Sequence, residues 1–230
     1  MYWCLFLLWP TLYIILNNIN KPEKSIIEEI KDLKKCYSIT RSNNIKVNRN
    51  LISATHSLIC SLGSLIAYIT GSLPVLDFTV IYSISYFIWD SYYIVIGGSV
   101  DDYPFLFHHA VTIYVLKLII DGYLRDYLLL FVIIGEFSNL PYYVVYHKLK
   151  TFCKDKNNVR IWRHIQISWF VLLRIIILGY YAFVFPYVVD NYLLLGLCFM
   201  MYFLGIYWSF GQLKGIYRDY YNHHLVKKKE

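Results

Sequence analysis

Two histidines, His108 and His109, stand side by side in the apolar stretch "FLFHHAVTIYVLKLII". An imidazole takes up and releases a proton near cellular pH, so such a pair can act as a base or nucleophile, or donate hydrogen bonds to a bound polar group. Other ionisable residues lie in similarly apolar surroundings: His56, Asp77, Asp90, Lys117, Glu136 and Arg174. In a bilayer, an Asp, Lys or Arg at a helix centre costs about 2.5–3.5 kcal/mol, and such residues turn toward a bundle interior or a cavity. Asp90 and Glu136 are the carboxylates available to orient an imidazole. Metal binding would need convergent ligands, and His56, Asp90, His108 and His109 are the available set. No helical His-x-x-x-His pair or His-Glu-x-x-His box is present, so no metal is expected.

The elements that must position these groups follow from composition. The chain has 230 residues, 58% hydrophobic, 19% aromatic and only 16% charged, whereas a soluble domain carries about a quarter charged residues. The expected fold class is all-α, a multi-pass transmembrane helix bundle. Seven candidate spans cover approximately 2–16, 51–70, 73–96, 104–120, 127–146, 166–186 and 191–213, the first being short and interrupted by Pro10. The five cysteines, Cys4, Cys36, Cys60, Cys153 and Cys198, form no Cys-x-x-Cys pair, which argues against a zinc ribbon or a disulfide framework.

A net charge of +7 raises the question of nucleic acid, and the placement of the charge answers it. Of the 22 Lys and Arg, all but Lys117, Arg125 and Arg174 fall in residues 17–50, 147–165 and 214–230, each bordering an apolar run. That is the pattern of cytosolic loops beside anionic headgroups, so membrane lipid and not nucleic acid is the expected partner. Alternation then puts the N-terminus outside the cytosol and the C-terminus inside. In 17–50, Asn20, Pro22 and Glu23 match a helix start, and Ile26, Ile27, Ile30 and Leu33 would share one face. Both an interfacial helix and a solvated linker satisfy this pattern.

Counting about 1.5 Å per residue along alternating helices places His56, Asp90, His108, His109, Glu136 and Arg174 at similar depth, between the cytosolic interface and the midplane. They would line one cavity open to the cytosol, with Glu136 as the expected ion-pair partner of Arg174. Asp77 and Lys117 lie near the outer ends and can snorkel.

"NRNLISATHSL" at 48–58, "SYFIWD" at 85–90, "FLFHHAVTI" at 105–113, "GEFSNLP" at 135–141 and "LLRI" at 172–175 occur in an order and spacing that resembles the TLC-domain family. That family includes ceramide synthases, the translocation-associated membrane protein, the CLN-type ER cargo receptor and small TLC-domain proteins. The resemblance implies a TLC-like domain over 48–214, preceded by an N-terminal span and basic segment (1–47) and followed by a basic tail (215–230). It also implies residence in the endoplasmic reticulum.

The pattern His108-His109-x-x-Thr112-Ile113 is similar to that of ceramide synthases, in which the His pair is implicated in acyl transfer from acyl-CoA to a sphingoid amine. The fifth span carries Gly135-Glu136-Phe137-Ser138-Asn139-Leu140-Pro141 in place of their Asp-Ser-Ala-Asp type of run, and looks more like the small TLC-domain proteins. Two functions follow from the resemblance. In the first, the protein binds or regulates membrane lipid, a sphingoid base or ceramide among the ligands, through a cavity lined by His56, Glu136, Ser138, Asn139 and Arg174. No cofactor is then needed. In the alternative it is a lipid N-acyltransferase with acyl-CoA as co-substrate and His108, His109 and Asp90 as catalytic residues.

Overall fold

The computed structural model describes residues 4–19, 41–97, 102–151 and 156–227, and every regular element among them is helical. We number these α1 (Leu5–Ile19), α2 (Arg41–Thr70), α3 (Leu73–Gly97), α4 (Tyr103–Ile120), α5 (Arg125–Phe137), α6 (Leu140–Thr151), α7 (Lys156–Phe170), α8 (Leu178–Val184) and α9 (Tyr192–Lys227). A π-helical stretch, Val171–Ile177, joins α7 to α8, and a 3₁₀ turn, Phe185–Tyr187, follows α8. The Ile26–Leu33 face expected in the basic segment lies outside the described residues, as do Cys36 and Cys153.

Five segments are long and apolar enough to cross a membrane: Lys46–Thr70, Tyr103–Ile120, Arg125–Leu149, Val159–Tyr187 and Tyr192–Tyr217. The expected count of seven is therefore not reproduced by length and composition. Helix α1 has 15 residues, about 22 Å at 1.5 Å per residue, against a hydrocarbon core of about 30 Å. Helix α3 is 25 residues long, but its apolar character is diluted by Asp77, Asp90, three serines and several tyrosines. Thr79, Tyr82, Ser83, Ser85, Tyr86 and Asp90 are all buried, so α3 turns much of its polar surface into the bundle.

Helix α2 is the hub, packing against α1, α3, α5 and α6, while α3 also meets α1 and α4. Small residues make that close approach possible: Ser53, Ser57, Cys60, Ser61, Ser64 and Ala67 of α2 are buried, and a Cβ at Gly63 would collide with Thr79. Helix α1 docks through Trp9, which is fully buried, donates from Nε1 to Ser85 Oγ (3.0 Å) and packs on the rings of Tyr82 and Tyr86. The outward faces carry Leu62, Ile69, Val95, Ile176, Phe183 and Phe203, all exposed. An apolar perimeter of this kind suits lipid.

One span is broken where the sequence predicts an uninterrupted helix. Pro141 has no N–H for the carbonyl four residues earlier, that of Phe137, and the chain turns at Ser138–Asn139 between α5 and α6. The carbonyls of the turn find side-chain donors, that of Glu136 in addition to the Asn139 N–H. Trp169 Nε1 reaches Phe137 O (3.1 Å), Arg174 Nη2 reaches Gly135 O (2.9 Å), and Ser57 Oγ reaches Glu136 O (3.2 Å).

Candidate functional site

The turn at 138–139 faces a cavity of about 980 Å³ at the end of the bundle that carries the basic stretches. Asp90 from α3, His108 and His109 from α4, Glu136 from the end of α5, Asn139 from the α5–α6 turn and Arg174 from the π stretch all line it. Lys46, Arg49, Arg163 and Lys214 line it as well. A smaller pocket of about 60 Å³ adjoins it, with His108, Glu136 and Arg174 common to both. Beyond those three the small pocket is walled by Val115, Leu128, Phe131, Val132 and Leu178. The polar residues thus form a collar between a charged vestibule and an apolar end.

His109 occupies the centre of a three-residue contact. Its Nδ1 is 2.9 Å from Ser91 Oγ, and its Nε2 is 3.6 Å from Asp90 Oδ2. The neighbouring carboxylate favours a proton on Nε2, leaving Nδ1 to accept from the serine hydroxyl. His108 turns the other way, edge-on to Trp208 at 5.8 Å and to Phe87 at 6.0 Å. Its nearest polar contact is a long one, 3.4 Å from Nδ1 to Thr112 Oγ1, while Thr112 itself donates to the His108 carbonyl (2.8 Å). The buried Phe87 ring also lies 5.1 Å from His109 and 5.0 Å from His56, so it spaces all three imidazoles.

Two of the expected cavity residues lie behind its wall. His56 stacks on Tyr86 with ring centroids 3.8 Å apart, sits edge-on to Trp9, and is not among the lining residues. Its Nδ1 is 3.9 Å from Glu136 Oε2, beyond hydrogen-bond reach, and its Nε2 has no hydrogen-bond partner among the described residues. Ser138 is fully buried and also absent from the lining; it donates to Gly135 O (2.6 Å) and accepts from Arg174 Nε (2.9 Å). Both positions were expected at the cavity from span depth and resemblance, which do not specify the direction of a side chain around its helix.

Arg174 differs from expectation in its partner. No ion pair among the described residues includes it. Its Nε and Nη2 go to the neutral acceptors Ser138 Oγ and Gly135 O, and its guanidinium lies over the rings of Phe170 (5.6 Å) and Trp208 (5.8 Å). Glu136 instead accepts from Ser57 Oγ. Lys117 pairs with Asp121 one turn on at the exposed end of α4, in keeping with its expected snorkelling.

The residue missed by sequence reasoning is Arg49. It falls in a basic stretch that reads as surface, yet it reaches Asp90 through two hydrogen bonds. Its signal was the depth of Asp90, which needs a countercharge close to the same interface. Among the described residues, no group of His, Cys, Asp and Glu gathers as a metal site. What the arrangement can do is bind a polar or charged headgroup and move a proton at His109. No protein-family model, curated protein or solved structure matches the chain.

Proposed function

We propose that this protein is a multi-pass membrane protein that binds or regulates membrane lipid through its polar cavity. The observation that carries the proposal is the collar of His108, Glu136 and Arg174 between a basic vestibule and an apolar pocket. Such a junction suits an amphiphile, whose head and tail need opposite surroundings. The resemblance of residues 48–213 to the TLC-domain family supports the same reading. We also propose that α1 and α3 join the five more apolar segments in seven spans, with the N-terminus outside the cytosol. The cavity then opens to the cytosol, since Lys46, Arg49, Arg163 and Lys214 cluster at its mouth. The endoplasmic reticulum is the proposed location on the resemblance alone.

A second reading, acyl transfer from acyl-CoA to a lipid amine, is favoured by the Ser91–His109–Asp90 contact. A carboxylate beside one ring nitrogen orients an imidazole so that the other can take a proton. Lipid extraction from the purified protein, paired with an acyl-CoA turnover assay, tests both. The first reading expects a retained lipid in near-stoichiometric amount and no turnover. Turnover that His109→Gln abolishes would establish the second, and an empty, inactive protein would defeat both.

A further inference from the structure

Arg174 is 2% exposed, and the elements around it are shaped to hold it there. It sits in the middle of the seven-residue π stretch, a distortion that proteins commonly keep at functional sites. Glycines flank it on two helices: a Cβ at Gly135 would meet Nη2 at 3.8 Å, and one at Gly205 would meet Arg174 Cδ at 3.8 Å. Larger side chains at those positions would crowd the guanidinium. Phe170 and Trp208 offer it their ring faces. All this keeps one cation in an apolar setting.

Its hydrogen bonds leave the guanidinium without a direct ion pair, the Glu136 carboxylate attracting it only through space. A guanidinium has five N–H donors in a planar fork. The two hydrogen bonds it makes use Nε and Nη2, both to neutral oxygens, and no carboxylate oxygen of the described residues lies within ion-pairing distance. Three N–H groups remain, on Nη1 and Nη2, the end of the fork that binds oxyanions in a bidentate manner. Arg174 lines both the vestibule and the apolar pocket. A buried cation of this kind is stabilised by a bound anion far more than an exposed lysine is.

We infer that Arg174 binds the oxyanion head of an amphiphilic ligand, a carboxylate or a phosphate, whose aliphatic part lies on the apolar side of the collar. The inference rests on the lipid-binding reading and narrows it: the ligand is an anion, and Arg174 selects for the charge. The basic rim would then attract the same molecule from a distance without holding it.

The test uses the full chain in nanodiscs of neutral phosphatidylcholine at pH 8, with three probes of equal chain length: dodecanoate, dodecyl phosphate and dodecanol. The expected result is that at least one anionic probe binds about tenfold or more tighter than the alcohol, and that Arg174→Gln reduces the preference to near one. Which anion wins distinguishes a carboxylate from a phosphate ligand. To keep the test independent of how Arg174→Gln folds, a dodecanoate with a diazirine beside the carboxylate is photolysed in the wild-type protein. Labelling within 128–136 or 171–178 is expected. Equal binding of acid, phosphate and alcohol overturns the inference and leaves lipid binding standing. A charge preference with labelling only around Lys46, Arg163 or Lys214 removes Arg174 from the role. Binding of none of the probes, with no lipid retained on purification, overturns the inference and the lipid-binding reading together.

Discussion

Arg49 grips Asp90 from the neighbouring helix by two hydrogen bonds, Nε to Oδ1 at 2.7 Å and Nη2 to Oδ2 at 3.1 Å. The same Oδ2 lies 3.6 Å from His109 Nε2, so the ion pair fixes the carboxylate that faces the imidazole. Arg49 is partly solvated, with about a quarter of its side chain exposed, and Asp90 is buried. Arg49→Met and Asp90→Asn should each lower thermal stability, while the double variant recovers part of the loss. A double-mutant cycle should give a coupling of about 1–3 kcal/mol, and additive losses would show that the pair contributes nothing of its own.

His109 divides the two functional readings because an amide hydrogen-bonds much as an imidazole does but does not exchange protons at cellular pH. In the lipid-binding protein, His109→Gln keeps contact with Ser91 and Asp90, and lipid retention falls only modestly. In an acyltransferase the same change lowers turnover about a hundredfold or more. Quantifying retained lipid and turnover on the same preparations separates the outcomes. Full turnover in both His108→Gln and His109→Gln would remove the pair from catalysis.

Ser138 should matter through Arg174 and not through the cavity surface. Ser138→Ala strands the Nε–H of a buried guanidinium, at a cost of about 1–3 kcal/mol. With Arg174→Met already present there is no donor left to strand, and the cost should nearly vanish. Thermal unfolding of the four proteins in one detergent checks this. A serine effect that persists unchanged in the Met background would assign it to the α5–α6 turn alone.

Trp9 anchors α1, so Trp9→Ala should destabilise the fold by about 3–5 kcal/mol through the cavity it leaves. Trp9→Phe retains the ring packing and loses only the hydrogen bond to Ser85, about 1 kcal/mol. Protease sensitivity at the N-terminal end of the chain should rise in the alanine variant and much less in the phenylalanine one.

The proposed topology predicts opposite labelling of two exposed sites near opposite ends of the bundle. Tyr187 is 90% exposed after α8, and Lys214 is exposed beside the cavity mouth. In sealed vesicles with the cytosolic face outward, a membrane-impermeant thiol reagent should modify Lys214→Cys and spare Tyr187→Cys until detergent is added. The reverse pattern would invert the orientation.

Long apolar runs bounded by basic clusters made the helices legible, and depth counting found the level of Asp90, His108, His109, Glu136 and Arg174. Depth does not fix direction, however, so the placing of His56 behind Tyr86 and of Ser138 behind Arg174 could not be read. Nor could the partner of Arg174, because that choice depends on which carbonyls the turn at Pro141 sets free. Helix α3 falls outside the five apolar segments for a physical reason: its serines, tyrosines and Asp90 reduce its apolarity, yet Tyr82, Ser83, Ser85, Tyr86 and Asp90 are turned inward. Arg49 was hidden by its company, since seven other basic residues share its stretch and only one neighbour in space distinguishes it.

The turn at Ser138–Asn139 also constrains the order in which the protein is completed during synthesis. When α5 enters the membrane, Ser138 Oγ already serves the Gly135 carbonyl, but the Phe137 carbonyl depends on a donor that has not yet been translated, Trp169. Lipid supplies no hydrogen-bond donors in its hydrocarbon region. The segment must therefore wait, held near polar surroundings or other protein, until more than thirty further residues have emerged. The second half of the bundle thus acts as an internal chaperone for the first. A chain truncated after α6 would keep its hydrophobic length and still fail to settle in the bilayer.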